Sequence, residues 1–277
     1  MNLPNPLEHV ISRDLYIHRD ITAKVTLFSP TVPIFVGFDG QVFHLRKDLL
    51  ALHSEYFRTQ FAKLKEDGKL AISDVDPRQF ASFAIWIETG LLARLTIHKP
   101  TDWSAGLEHV HLDVLSELGR RLGAPGFQNA CVDGFRSTCK VSNMLLDISA
   151  VESMHMNCGK ESKFRMLVTH SVAWKRPCAE FEEGSKDHKT WSEFLRMWPD
   201  LAVEIATINS NRWNGKNPWD DEHRVMYMED EIPLAEQWDK HILSCRNIQE
   251  IKKAAAGGCV RSVIELDHLQ RNDRNKR

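Results

Sequence analysis

The stretch Leu70-Ala71-Ile72-Ser73-Asp74-Val75-Asp76-Pro77-Arg78-Gln79-Phe80 changes character halfway along and decides how the chain is read. Leu70-Ala71-Ile72 reads as a short strand. Asp76-Pro77 then opens a helix: Asp76 can accept from the free backbone donors of the first turn, and Pro77 occupies a position where its missing N–H costs nothing. Gln79 completes an arrangement resembling a capping box. Phe80, Phe83, Ala84 and Ile87 line one side of that helix, and Gly90 stands where a left-handed C-cap is wanted.

Upstream lie three short β-rich runs, Val25–Phe28, Val32–Val36 and Gln41–Leu45, the last two joined by Gly37-Phe38-Asp39-Gly40, which has hairpin-turn chemistry. Pro33 has to sit at a strand start or edge. Leu49-Leu50-Ala51-Leu52 leads into Ser54, an N-cap residue, after which Phe57, Phe61 and Leu64 recur on one helical face. Residues 1–24 form a lead-in with one short helix around Leu7–Leu15.

Downstream, a helix within 102–123 carries Leu112, Leu115, Gly119 and Leu122 on a common face. Another after Pro125 spaces Phe127, Cys131 and Phe135 four apart. From about residue 140 the chain becomes tryptophan-rich. Phe164, Leu167, Val168 and Val172 make one stripe, and Trp191, Phe194, Leu195 and Trp198 make a second, stopped by Pro199. A loop-like stretch from Asn209 to Asp221 precedes a helix carrying Leu234, Trp238, Ile242 and Cys245. Helical spacing with Phe and Leu reads Trp191, Trp198 and Trp238 as core rather than as a stacking platform.

The 277 residues hold 42% hydrophobic and 27% charged side chains with a formal net charge of −2. That near-neutral balance excludes whole-domain phosphate neutralisation, so no nucleic-acid partner is expected. No apolar run reaches the roughly 18 residues of a membrane helix, and the first residues lack a basic region followed by an apolar one. The six cysteines form no C-x-x-C pair. The expectation is a chain of the cytoplasm or nucleus with reduced thiols and no membrane partner.

Chemistry-bearing patterns are sparse. His155-x-x-Cys158 and His109-x-His111 have no second matching ligand pair, and i, i+2 histidines on a helix point apart. No metal or cofactor is therefore expected. G-x-S-x-G, H-E-x-x-H, P-loop and G-x-G-x-x-G patterns are absent, so no catalytic residues are assigned and the chain is not expected to be an enzyme. One different reading is kept: a hydrolase-like or ligand-binding activity in the C-terminal region, if His155 and Cys158 share a pocket with Asp220, Asp221 or Glu222. The basic residues Arg271, Arg274, Lys276 and Arg277 read as a solvated tail.

The order of these pieces resembles a BTB/POZ domain of the short fungal type. Ile34-Phe35-Val36-Gly37 resembles its strand and glycine, and Phe43–Leu50 resembles F-x-[hydrophobic]-H-[KR]-x-[hydrophobic]-L. Ser54-Glu55-Tyr56-Phe57 matches S-x-Y-F, Asp74–Pro77 its D-x-D-P turn, and Trp86–Leu92 resembles W-[IL]-Y-T-G-x-[hydrophobic]. Leu118–Leu122 and Phe127-Gln128-Asn129 continue it, so the resemblance spans about residues 22–138. Arg46 replaces the family's histidine, Glu88 its tyrosine and Gly119 its alanine. Thr31-Val32-Pro33 lacks the acidic residue that, with the basic position here held by Lys47, belongs to a charged pocket at the dimer interface of the transcription-factor branch.

The resemblance implies an α+β fold, a BTB/POZ domain over 22–138 with a short sheet and a cluster of helices; the residues around it read as a lead-in over 1–21, a mostly helical region over 139–270 and a basic tail over 271–277. It implies a non-catalytic protein–protein interaction module that forms homo- or hetero-oligomers, its exposed apolar residues covered by a second copy or a partner. It also offers another role, a substrate adaptor that binds a cullin of a ubiquitin ligase, since Leu64-Lys65-Glu66 resembles the hydrophobic-x-Glu motif of such adaptors. The partner-binding residues it singles out are Lys47, Leu64 and Glu66.

Overall fold

A computed structural model describes residues 30–63, 69–92, 110–142, 146–210 and 216–231. The chain divides into two compact units, Met1–Ala93 with Glu231–Arg277, and Arg94–Asp230. The fold is α+β: mostly helical, with a three-stranded sheet in the first unit. Among the described residues no helix is long and apolar enough to cross a membrane.

In the first unit β1 (Thr31–Val36) and β2 (Gln41–Arg46) form the expected antiparallel hairpin, with Ile34 opposite Phe43 and Val36 opposite Gln41. The helices α1 (Lys47–His53) and α2 (Glu55–Lys63) follow, broken at Ser54, whose Oγ accepts from the Phe57 N–H at 3.2 Å. Next, β3 (Leu70–Ile72) returns beside β1 in parallel, giving the order β2-β1-β3. Finally α3 (Pro77–Thr89) begins as its sequence requires: Asp76 accepts from the N–H groups of Arg78 (2.6 Å) and Gln79 (3.4 Å). It ends on Gly90 at φ 72°.

One face of the sheet supplies Ile34, Val36 and Ile72 to the core, where Leu49, Leu50, Phe57, Phe80, Phe83 and Ile87 are fully buried. Phe57 lies 6.2 Å from Phe80 and 6.3 Å from Phe83, ring centre to ring centre, and Phe43 meets Phe80 edge-on at 5.1 Å. Rings at such spacings add about 0.5–1.5 kcal/mol per pair beyond the area they bury.

The second unit is helical. It contains α4 (Val110–Arg121), α5 (Pro125–Ser142), α6 (Ile148–Asn157), α7 (Lys163–Lys175), the single turn α8 (Pro177–Glu180), α9 (Lys186–Met197) and α10 (Pro199–Ser210). A 3-10 helix over Asp221–Tyr227 completes it. Pro199 does more than stop α9, since it opens α10 at a first position that needs no N–H. Ser162 and Ser185 cap α7 and α9 through the N–H groups of Arg165 and His188.

Along the chain the first unit gives way to the second at 93/94. Helices α4 and α5 pack on α6 and α7, with Phe135 of α5 against Phe164 of α7 at 5.2 Å. Leu115, Gly119, Leu122, Phe127, Cys131 and Phe135 are buried as their stripes predict, whereas Leu112 is half-buried and Leu118, outside the stripe, is buried too. An amphipathic stripe fixes which side of a helix is buried and leaves open which neighbour buries it. The strand expected at Val25–Phe28 and the helices at Leu7–Leu15 and Leu234–Cys245 lie outside the described residues, as does the tail.

Candidate interaction surface

Of the three residues singled out for partner binding, Lys47 alone lies among those described; Leu64 and Glu66 do not. Lys47 is the first residue of α1, where its N–H donates to the Pro30 carbonyl at 3.0 Å. Its ammonium stands 5.5 Å from the centre of the Phe61 ring, a cation–π contact inside the unit.

The outer face of the sheet carries an apolar patch bordered by Thr31, His44 and Arg46. Register places Phe35 beside Val42 on one strand and Ala71 on the other, with Pro33 opposite His44. Pro33, Val42 and Ala71 are exposed, and Phe35 is half-buried under the ammonium of Lys69 at 5.6 Å. At the hairpin tip Phe38 is 98% exposed. The flanking Gly37 and Gly40 hold φ of 79° and 64°, and the Gly40 N–H closes the turn on the Gly37 carbonyl at 3.1 Å. The signal in the sequence was the near-continuous apolar run of β1, which suits a strand with both faces apolar better than one with a wet side.

The residues of the different, enzymatic reading have separate surroundings. His155 of α6 meets Arg165 Nη2 at 3.4 Å and the Trp198 ring at 4.9 Å, and Arg165 pairs with Glu204 at 2.6 Å. The crevice beside them, lined also by Val151, Met154, Val168, Thr169 and Leu201, is too tight for a water molecule. Cys158, just past α6, is buried and its thiol approaches the Asp113 carbonyl at 3.8 Å. Burial and the nearby Asp113 charge push that thiol up to about 12, and burial likewise raises Cys131 and Cys139. Asp221 takes a different set of partners, Lys140 at 3.0 Å and Arg136 at 3.6 Å, and Glu222 lies 3.9 Å from Lys216. Lys140 holds the Asp221 carboxyl below the usual carboxylate range. Among the described residues no three His, Cys, Asp or Glu side chains gather to hold a metal ion.

The loop-like stretch around Asp220 is instead tied down along α5 and α7. Its two large aromatics are buried, Trp219 to 1% and Tyr227 to 0% exposure. Trp219 Nε1 donates to Ser171 Oγ at 2.9 Å, and the Tyr227 hydroxyl lies 2.9 Å from His170 Nδ1. Burial lowers the pKa of His170 and raises that of Tyr227, so both groups are held in their neutral forms. The sequence offered one sign of this: Asn129, Asp133, Arg136 and Lys140 recur at spacings of four, three and four, a polar stripe on a helix whose other stripe is core. Comparison with protein-family models and with curated proteins finds no match to this chain.

Proposed function

We propose that this chain is a non-catalytic protein–protein interaction protein, its first unit a BTB/POZ-like module that joins a second copy of the chain or a partner with a matching apolar face. The outer face of the sheet carries this reading: Phe35, Val42, Ala71 and Pro33 side by side, with Phe38 projecting from the tip. Apolar area withdrawn from water returns about 25 cal/mol per Å². An aromatic on a closed two-glycine turn makes an anchor that loses little freedom on docking. The element order from β1 to α3 supports the same reading through the motifs that resemble a BTB/POZ domain.

Light scattering on the full chain, wild type against a Phe38→Asp/Val42→Asp double variant, tests it. The expected result is a dimer or larger species for the wild type and a monomer for the double variant, with equal unfolding midpoints. A wild-type chain that stays monomeric throughout the micromolar range, or a variant that associates as well as the wild type, overturns self-association through this face.

A further inference from the structure

Segment Asn217–Glu229 is held on the second unit in the way a groove holds a peptide. Four polar residues along α5 hold it, the first three meeting it in reverse chain order and the fourth, Lys140, turning back to Asp221. Asn129 clamps the backbone of Glu229 from both sides, Nδ2 donating to its carbonyl at 3.1 Å and Oδ1 accepting from its N–H at 2.7 Å. One turn on, Asp133 accepts from Arg224 Nε at 2.8 Å and Nη2 at 2.7 Å, and also pairs with Arg136 at 3.4 Å. Arg136, its side chain 5% exposed, then donates through Nη2 to the carbonyls of Trp219 (3.0 Å) and Asp220 (2.7 Å). Lys140 closes the series on Asp221. The helix and the segment therefore run antiparallel.

The wall opposite is α7. It receives the two aromatic anchors at their polar tips, His170 for Tyr227 and Ser171 for Trp219, and stacks Trp174 edge-on against Trp219 at 5.1 Å. Lys175 lies over both indoles, 4.6 Å from Trp174 and 5.6 Å from Trp219. The segment's only regular structure is a seven-residue 3-10 helix, which is weak alone. Main-chain groups read by side chains, deep aromatic anchors and charge matching between them are the features by which grooves recognise short peptides.

We propose that the α5–α7 face is a peptide-binding groove for a segment with Trp and Tyr anchors eight residues apart, filled here by the chain's own residues and able to take the same segment from a second copy. Nothing in this depends on the sheet face of the first unit. Because the groove and its ligand carry a charge pair that can be reversed, the two can be tested separately. The probe is a fluorescent peptide of residues 216–231, native or carrying Arg224→Asp, and the readout is anisotropy with the full chain.

In the Asp133→Arg chain the resident segment is repelled and the groove favours an acid at 224. The expected result is binding of the charge-reversed peptide about tenfold or more tighter than the native one. In the Arg224→Asp chain, whose groove is intact, the preference should invert. The second chain also covers the case in which the first fails to fold, and circular dichroism certifies each. Equal binding of the two peptides, or binding of neither by a variant that keeps the wild-type spectrum, overturns the proposal.

Discussion

A side chain on Gly37 would run into Pro77: a Cβ built there would stand 2.8 Å from Pro77 Cγ. Gly37 also sits at φ 79° and donates its N–H to the Ile72 carbonyl at 2.9 Å. The hairpin turn, the end of β3 and the first residue of α3 therefore meet at one glycine. Gly37→Ala should cost about 2 kcal/mol or more, adding left-handed strain to overpacking. Gly40→Ala makes the control, since φ is 64° but a Cβ there meets nothing within 4 Å. It should cost only about 1 kcal/mol. Urea unfolding of the two variants measures the difference, and equal losses would refute the close-approach account.

Arg136→Ala removes a buried guanidinium from the carbonyls of Trp219 and Asp220. Stranding those acceptors should destabilise the second unit by about 3 kcal/mol. Arg136→Lys should recover only part, because an ammonium cannot reproduce the planar fork. The Asp221 carboxylate is two-thirds exposed, so its pairing adds little. Thermal melts of the three chains decide it.

Acid should weaken the fold through its histidines. Burial lowers the pKa of His170, and burial together with the neighbouring Arg165 lowers that of His155, below the ordinary value of 6.5. Glu204 and Asp200 oppose the shift at His155, and Lys160 adds to it. As pH falls through 6.5 the unfolded chain takes up protons that the folded chain refuses, so stability present at neutral pH is lost on the acid side. Melting temperatures at pH 7.5 and 5.5 should therefore separate more for the wild type than for His170→Gln. An equal separation would remove His170 from the explanation.

Thiol chemistry should follow burial. Cys131, Cys139 and Cys158 are buried with raised pKa values, Cys139 and Cys158 up to about 12, whereas Cys178 is only half-buried. Among the cysteines of the described residues, iodoacetamide at pH 8 should label Cys178 first and spare Cys131, Cys139 and Cys158 until the chain is unfolded. Peptide mapping by mass spectrometry reads this directly, and early labelling of Cys158 would contradict its placement.

What could be read from the residues was local. The hairpin at 37–40, the Ser54 break, the strand at Leu70–Ile72 and the start and stop of α3 each depend on a few neighbours whose caps and periods are written side by side. The same holds for the buried stripe Phe164, Leu167, Val168 and Val172. Pro199 stops α9, which its own sequence shows, and also opens α10, which only the chain beyond it shows.

The partner of each face was not legible. Sequence by itself determined that α4 and α5 have an apolar side, that β1 is apolar on both sides and that Trp219 and Tyr227 lie in a polar stretch. Tertiary structure alone decided that α4 and α5 join the helices after them, that β3 lies parallel to β1, and that residues 217–229 fill the α5–α7 groove. The physical reason is range. Periodicity and capping act over a few residues, whereas Arg136 and Trp219 are 83 positions apart and meet only because packing brings their elements together.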